Sequence, residues 1–219
     1  MNSNFHAKAL PCIRRASARW LMVGMAATAT AFMAPHSLAA DRDVSGVKVS
    51  LSLNLAGKSL ELNGAGTRYR GPFKVYTAAL YTTQKFSSVP DFHADNGSKR
   101  LVLTMLREVD SAEMGRMFIN GVQKNIAKND LTKVLLELPR MGEIFAANKR
   151  LFPGEQLVID WIPAVGMQIS VRGKPQGEAF NSPEFFEALM NIWLGKAPAD
   201  SQLKDALLGK AEPERLSRS

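Results

Sequence analysis

Alternation of apolar and polar residues is clearest just after residue 46. The apolar residues fall at every second position: Val47, Val49, Leu51, Leu53 and Leu55. A period of two is typical of a strand in a sheet that has one buried and one solvated face. We therefore predict one strand over residues 47–55. A turn at Gly57 and Lys58 then leads back into Leu60 and Leu62, which gives a hairpin.

A glycine-rich segment, Asn63 to Gly66, follows and predicts a second turn. An apolar, β-prone run begins at Phe73 and lies mostly within a third strand, which we place over residues 74–83. Arg68 and Arg70 lie between the turn and this strand. A guanidinium stays charged and offers a planar fork of donors. We therefore expect a tight loop that presents an arginine to an anionic group against an apolar wall.

The pattern then changes from strands to helices. A fourth strand is predicted over Arg100–Leu106, with loops at residues 89–91 and 96–98 before it. Asp110 and Glu113 are spaced as an N-terminal cap. Apolar residues and one glycine follow on one helical face: Met114, Met117, Phe118, Gly121, Val122 and Ile126. We expect this stripe to belong to the core of the protein.

A second helix is predicted to open at Asn129-Asp130 and to be broken or restarted at Pro139. Strands return over residues 156–162 and 167–171. Two helices then end the pattern. The first has Ser182 as its N-cap and Gly195 as its end, with an apolar face made by Phe185, Leu189, Ile192 and Trp193; the second runs over residues 201–208 behind Asp200. Strands flanking a helical block predict an α+β fold, an antiparallel sheet backed by helices on one face.

The first 40 residues are expected to be a signal peptide and not part of this fold. Four basic residues and no acidic ones precede Asp41, and the apolar segment from Trp20 to Ala34 is short for a bilayer span. Cleavage is expected near Ala39-Ala40, which predicts a periplasmic or secreted protein. An uncleaved anchor, an organellar transit peptide and a twin-arginine signal at Arg14-Arg15 are the alternatives. A single domain is then predicted over residues 41–209, with a polar tail over residues 210–219.

Composition narrows the chemistry of that domain. The only cysteine, Cys12, lies in the leader, so disulfides and thiolate catalysis are not expected in the domain. Removing the leader's four basic residues lowers the formal charge from +8 to about +4. No run of lysine and arginine interleaved with aromatic residues suggests nucleic-acid binding. Neither a dinucleotide-binding glycine pattern nor a zinc-ligand set is present, so we expect no cofactor and no metal.

The segment Gly64-Ala65-Gly66-Thr67-Arg68 followed by Lys74-Val75-Tyr76-Thr77-Ala78-Ala79-Leu80-Tyr81 resembles a signature of the chalcone isomerase family. The resemblance continues through Lys99–Arg107, the helix over Ser111–Asn125 and the segment from Pro183 to Lys204. It is closest to the bacterial chalcone-isomerase-like branch. It implies an open-faced β-sandwich of the chalcone isomerase type, in which helices back a large sheet and a ligand cleft lies between them.

The resemblance also implies site residues. Family enzymes cyclise a chalcone to a flavanone, with an arginine on the nucleophilic oxygen and threonine and tyrosine hydroxyls steering the enolate. Arg68 matches that arginine, and Tyr76 stands at the threonine position. Met114, which has no proton to give, stands at the tyrosine position. Asn120 or Gly121 falls near a family asparagine, and Ile192 replaces a polar residue.

These departures favour a non-catalytic binding protein. Proton transfer by positioned side chains contributes roughly 100- to 10,000-fold to a rate, so an arginine site without the tyrosine should bind an oxyanion better than it cyclises one. We expect an amphipathic anion, a fatty acid or a polyphenol, in the cleft beside Arg68. One alternative is an intramolecular lyase acting on an unsaturated phenolic substrate. The other is haem binding through His93, although a lone loop histidine is more often a solvated surface residue.

Overall fold

The computed structural model describes residues 41–126 and 131–210, with the side chain of Leu131 excepted. Predictions for the leader, for the opening of the second helix at residues 129–130 and for the tail beyond Lys210 lie outside these residues. The described strands are β1 (Asp41–Val44), β2 (Val47–Ser50), β3 (Ser52–Leu55), β4 (Lys58–Arg70), β5 (Phe73–Thr82), β6 (Lys99–Met105), β7 (Val109–Asp110), β8 (Arg150–Leu151), β9 (Gln156–Ile162), β10 (Gly166–Val171) and β11 (Lys174–Pro175). The described helices are α1 (Val89–Ala94), α2 (Ser111–Asn125), α3 (Leu131–Val134), α4 (Leu138–Ala147), α5 (Pro183–Leu194) and α6 (Ser201–Leu207).

Seven strands form the main sheet in the order β11-β10-β9-β6-β5-β4-β3, and every pairing in it is antiparallel. Two-stranded ribbons, β1 with β2 and β7 with β8, stand beside it. Neighbours in the main sheet are mostly consecutive in sequence: short hairpins join most of them, and a connection that contains α1 joins β5 to β6. The exception is the pairing of β6 with β9, because the helical block α2–α4 is inserted between these two strands.

One face of the sheet packs against the helices. Its alternate residues include Ala78 and Leu80 of β5, Leu101 and Leu103 of β6, and Leu157 and Ile159 of β9. They share one hydrophobic core with buried residues of α2, α4, α5 and α6. The predicted antiparallel sheet backed by helices on one face is confirmed.

The opposite face has a smaller core. Ala79 and Tyr81 of β5 and Leu62 of β4 pack with Val44 and Val49 from the β1–β2 ribbon. Farther along this face, Arg100 forms a two-pronged ion pair with Asp160, at 2.6 and 2.7 Å between nitrogen and oxygen. This face therefore carries a partly buried polar pair beside its small apolar core.

The prediction of one strand over residues 47–55 was wrong. The alternating stretch is two strands, since β2 pairs with β1 and β3 pairs with β4 in the main sheet. The break falls at Leu51, whose side chain is exposed although the alternation predicts it buried. The ribbon partner, β1, carries charged residues at its first three positions, so periodicity did not reveal it.

The predicted turn over Asn63–Gly66 was also wrong, because β4 runs unbroken from Lys58 to Arg70 with a register shift near residue 63. At this irregularity the Asn63 amide donates to the carbonyl oxygens of Phe86 (3.0 Å) and Leu207 (2.6 Å), and its oxygen accepts from the Phe86 amide (2.6 Å). A Cβ at residue 64 would overlap the Ala206 carbonyl oxygen. The glycine therefore serves close approach of α6, not a turn, and Arg68 lies in a strand, not on a loop.

The predicted N-caps of three helices, α2, α5 and α6, are confirmed. Asp110 caps α2 by accepting from the Glu113 amide at 2.9 Å, as predicted. The predicted loop at residues 89–91 was wrong, since it is the first turn of α1, with Ser88 as N-cap. The segment around Pro139 forms two helices, and α4 restarts at Leu138. Ser182 and Asp200 cap α5 and α6 as predicted.

Candidate functional site

A cavity of about 320 Å³ lies where β4 ends and β5 begins. Its other walls come from α2, α5, the residues before α2 and the segment before α6. The sheet contributes Arg68, Arg70, Val75 and Tyr76 to its wall. The helices contribute Glu113, Met114, Met117, Phe118, Asn120, Gly121, Lys124 and Ile192, and the remaining wall is made by Arg107, Glu108, Val109, Asp110, Ala197, Pro198 and Ala199. The cavity therefore has both an apolar and a charged portion.

Arg68 and Tyr76 are register partners on neighbouring strands, so their side chains emerge side by side. The Arg68 side chain is only 22% exposed. Its Nη1 donates to the Tyr69 carbonyl oxygen and lies 3.5 Å from Oδ2 of Asp200. Arg68 is therefore a cation that is fixed in position, as expected, but Asp200 partly neutralises its charge.

Asp200 occupies its position because it also caps α6. Its Oδ1 accepts from the amides of Gln202 (2.9 Å) and Leu203 (3.2 Å), and its Oδ2 accepts from the Tyr69 amide (3.2 Å). These three hydrogen bonds fix the orientation of the Asp200 carboxylate. The start of α6 is thus tied to the strand that carries Arg68.

Tyr76 is buried and accepts a hydrogen bond from the Trp193 indole, 3.0 Å from Nε1 to the hydroxyl oxygen. Burial raises the pKa of the Tyr76 hydroxyl above its usual value, and this outweighs the lowering by the Trp193 hydrogen bond and by the charge of Arg68. The hydroxyl is therefore protonated at neutral pH. Because its oxygen already accepts from Trp193, its remaining hydrogen is suited to an acceptor on a ligand.

The apolar wall faces this pair from α2 and α5. Met114, Phe118 and Ile192 are buried, and the Phe118 ring packs edge-on against Trp193 with centroids 5.3 Å apart. Gly121 brings α2 close to α5, since a Cβ there would lie 3.0 Å from the Ile192 side chain. The stripe predicted as core is indeed buried core at Met114, Phe118 and Val122, and part of it also lines the cavity.

Charged side chains surround the opening of the cavity. Arg70 pairs with Glu113 at 2.5 Å, and Glu108 pairs with Arg150 at 2.6 Å. The Arg107 guanidinium lies over the Phe73 ring, 5.6 Å from its centroid. Within residues 41–126 and 131–210, no acidic side chain pairs with Arg107 or Lys124.

All five ligand-binding residues predicted from the sequence line this one cavity: Arg68, Tyr76, Met114, Asn120 and Ile192. That they contact a ligand stays a prediction. Two participants were missed, namely Asp200 beside Arg68 and Arg107 at the opening, and Trp193, which the sequence predicts as core or cleft lining, lies behind Tyr76. Asp200 and Trp193 carried only their local signals, a helix cap and an apolar helix face, because their partners lie far away in the sequence.

His93 lies elsewhere, on α1, and is not the solvated loop residue that the sequence suggested. Its Nε2 is 3.0 Å from the Asn191 side-chain oxygen on α5, its ring packs edge-on against Phe92, and its Nδ1 is buried without a partner. The hollow beside it measures about 40 Å³. A haem does not fit in that space, so the geometry does not support His93 as an axial ligand.

No helix within residues 41–126 and 131–210 has the length and apolarity to cross a bilayer. In the same part of the chain, no cluster of three or more histidine, cysteine or acidic residues is placed to hold a metal ion.

Comparison with known proteins agrees with this architecture. A solved structure of similar fold is a fatty-acid binding protein of Arabidopsis thaliana, with a TM-score of 0.56 and 13% sequence identity over 75% of this chain and 93% of that chain. No curated protein matches the sequence. The model of the family described as chalcone isomerase-like matches residues 41–209. The chain therefore has the predicted fold of the chalcone isomerase type, and it belongs to the chalcone isomerase-like family.

Proposed function

We propose that this protein binds an amphipathic anion without transforming it, and that the ligand is a fatty acid or a polyphenol. The observation that carries this proposal is the juxtaposition of Arg68 and Tyr76 with an apolar wall inside one cavity. Charged or hydroxyl donors at one place and apolar side chains beside them are what an amphipathic anion requires. The fold shared with a plant fatty-acid binding protein supports the same class of ligand.

The anionic group is placed beside Arg68 and Tyr76. Arg68 has five N–H donors, and the Tyr69 carbonyl and Asp200 engage only one of its nitrogens, so other donors remain for a carboxylate or phenolate. The Tyr76 hydroxyl adds a neutral donor. Hydrogen bonds of this charge-assisted kind are worth about 1.5–3 kcal/mol each.

Catalysis of the family reaction would require a proton-donating tyrosine, which Met114 replaces in this chain. Met114 lies fully buried in the cavity wall at the position where the resemblance places a tyrosine in the enzymes. Tyr76 retains its proton at neutral pH because burial raises its pKa, so it is a hydrogen-bond donor and a poor acid. An intramolecular lyase is therefore the less favoured function.

The cavity volume limits the ligand. Pockets for small molecules span roughly 300–1,000 Å³, and about 320 Å³ is at the lower end of that range. We infer that a medium-length chain such as dodecanoate fits better than a long one. The leader, residues 1–40, further leads us to propose that binding takes place in the periplasm or outside the cell.

The test is calorimetric titration of the purified protein with dodecanoate, preceded by mass spectrometry of any ligand that copurifies. Arg68→Gln is expected to weaken binding by about tenfold or more, because a charge-assisted hydrogen bond is lost. Lys58→Gln is the matched control: it also removes one positive charge, from the β3–β4 turn at the far end of the sheet, and should leave affinity unchanged.

A second variant tests the charge argument itself. Asp200→Asn keeps an N-cap residue, since asparagine and aspartate cap helices about equally well, but removes the negative charge beside Arg68. Anion affinity should rise several-fold. Equal affinity in wild type and Arg68→Gln, or cyclisation of a chalcone clearly faster than in buffer, would overturn the binding proposal.

A further inference from the structure

The opening of the cavity carries an exposed aromatic ring among cations. Phe73 is 61% exposed at the start of β5, directly after the Gly71-Pro72 turn. Its register partner is Arg70, and the Arg107 guanidinium lies over its ring. Lys124 lies on the same opening, on α2. We call Arg70, Phe73, Arg107 and Lys124 the mouth patch.

The acidic residues near the mouth patch are already engaged. Glu113 pairs with Arg70, Glu108 pairs with Arg150, and Asp110 caps α2. Arg107 and Lys124 have no ion pair within the described ranges, residues 41–126 and 131–210. Arg107 and Lys124 thus present positive charge that no ion pair offsets, beside the apolar ring of Phe73. The complement of this arrangement is a surface that is anionic outside and apolar just beneath.

We propose that the mouth patch docks this protein reversibly on an anionic phospholipid bilayer. Phe73 inserts at the level of the headgroups, and Arg107 and Lys124 contact lipid phosphates, while Arg70 stays paired with Glu113 beside them. Basic side chains near an anionic leaflet and aromatic side chains at the interface are each favourable, and a patch of a few such side chains binds weakly and reversibly. The patch is continuous with the cavity, so an insoluble ligand would pass between membrane and cavity without crossing open water. Only that last step rests on the proposed function.

The experiment is cosedimentation of the full chain with vesicles of phosphatidylcholine containing about one third phosphatidylserine, an anionic content at which basic residues near the surface contribute measurably. Every variant carries the same residues 1–40, so their contribution cancels between variants. Arg107→Gln is expected to weaken vesicle binding about fivefold, and Phe73→Ala several-fold. The double variant should lose more than tenfold, and roughly 0.5 M salt should abolish the difference due to Arg107.

Two controls come from the other end of the sheet, where the turns β3–β4 and β9–β10 lie. Lys58→Gln removes an exposed cation and Val165→Ala trims a side chain that is 51% exposed. Both should bind vesicles like the wild type. Docking by the mouth patch is overturned if the mouth variants sediment like the wild type, or if the controls lose as much binding as they do.

Dodecanoate titration without vesicles separates the two proposals. Phe73 does not line the cavity, so Phe73→Ala should bind dodecanoate like the wild type while losing vesicle binding. If the wild type binds vesicles through the mouth patch but takes up no anionic ligand, docking stands and the proposed function fails. If dodecanoate binds and vesicles sediment equally with every variant, the reverse holds.

Discussion

Two hydrogen bonds of equal length join α5 to other parts of the domain, but the cavities beside them differ in volume. Trp193 donates to Tyr76 at 3.0 Å beside a cavity of about 320 Å³. Asn191, two residues earlier, contacts His93 at 3.0 Å beside a hollow of about 40 Å³. Histidine is chemically the more versatile ligand residue, but it lies at the site with less room. The space next to a polar group, and not its residue type, decides which of the two can meet a ligand.

The largest expected difference between the two sites is the loss of folding stability when the α5 contact is removed by mutation. Trp193 is fully buried among aromatic neighbours, so Trp193→Ala should lower the free energy of unfolding by about 3–5 kcal/mol. His93→Ala removes a half-buried ring and one hydrogen bond and should cost about 1 kcal/mol. Urea unfolding followed by circular dichroism measures both. Equal losses would mean that the two contacts are structurally equivalent.

The next effect concerns the Tyr76 hydroxyl. Tyr76→Phe leaves the Trp193 N–H buried without an acceptor, which should cost about 1–3 kcal/mol, and should weaken dodecanoate binding several-fold. Tyr81→Phe is a matched control, because Tyr81 lies on the same strand but on the opposite face of the sheet. Calorimetry of that control should give wild-type affinity. A similar loss of affinity in both variants would place the ligand elsewhere.

A smaller effect is expected at high pH. Burial raises the pKa of Tyr76, and burial raises that of Tyr81 to about 12. Both exceed the usual value near 10, so above about pH 10 the folded protein holds protons that the unfolded chain releases. Stability from these groups is therefore complete below that pH and is lost as pH rises through the folded values. Urea midpoints should fall less steeply above about pH 10 in the double Tyr76→Phe, Tyr81→Phe variant.

The smallest effect should come from His93→Gln. Glutamine keeps a side chain able to hydrogen-bond Asn191, so stability should change by less than about 1 kcal/mol and dodecanoate affinity should not change. Neither protein should develop a Soret band when haem is added. A band in the wild type that the variant lacks would contradict the size argument and restore haem binding.

Sequence patterns predicted most of the fold and five residues that line the cavity, but not the part played there by Asp200 and Arg107. Period-two alternation and helix caps, which are local signals, placed β5, β9, α2 and α5 almost to the residue. The same signals failed where a distant contact overrode them. Asn63 and Gly64 have the composition of a turn, but α6 packs against them and the strand continues through a register shift. Arg68 was identified from its position before β5 and from the resemblance, whereas Asp200 carried only the signal of a helix cap and nothing that related it to Arg68.

The hydrogen bonds that join β4 to α6 and its N-cap determine when the candidate site is completed during synthesis. Asn63 is joined to Leu207 across 144 residues, and Tyr69 to Asp200 across 131. A ribosome makes a chain from its N terminus, so β4 and β5 emerge long before the segment that completes the polar side of the cavity. Contacts of such long sequence separation form slowly. A nascent chain would thus hold Arg68 without its carboxylate partner, and it would acquire the finished pocket only after α6 had docked.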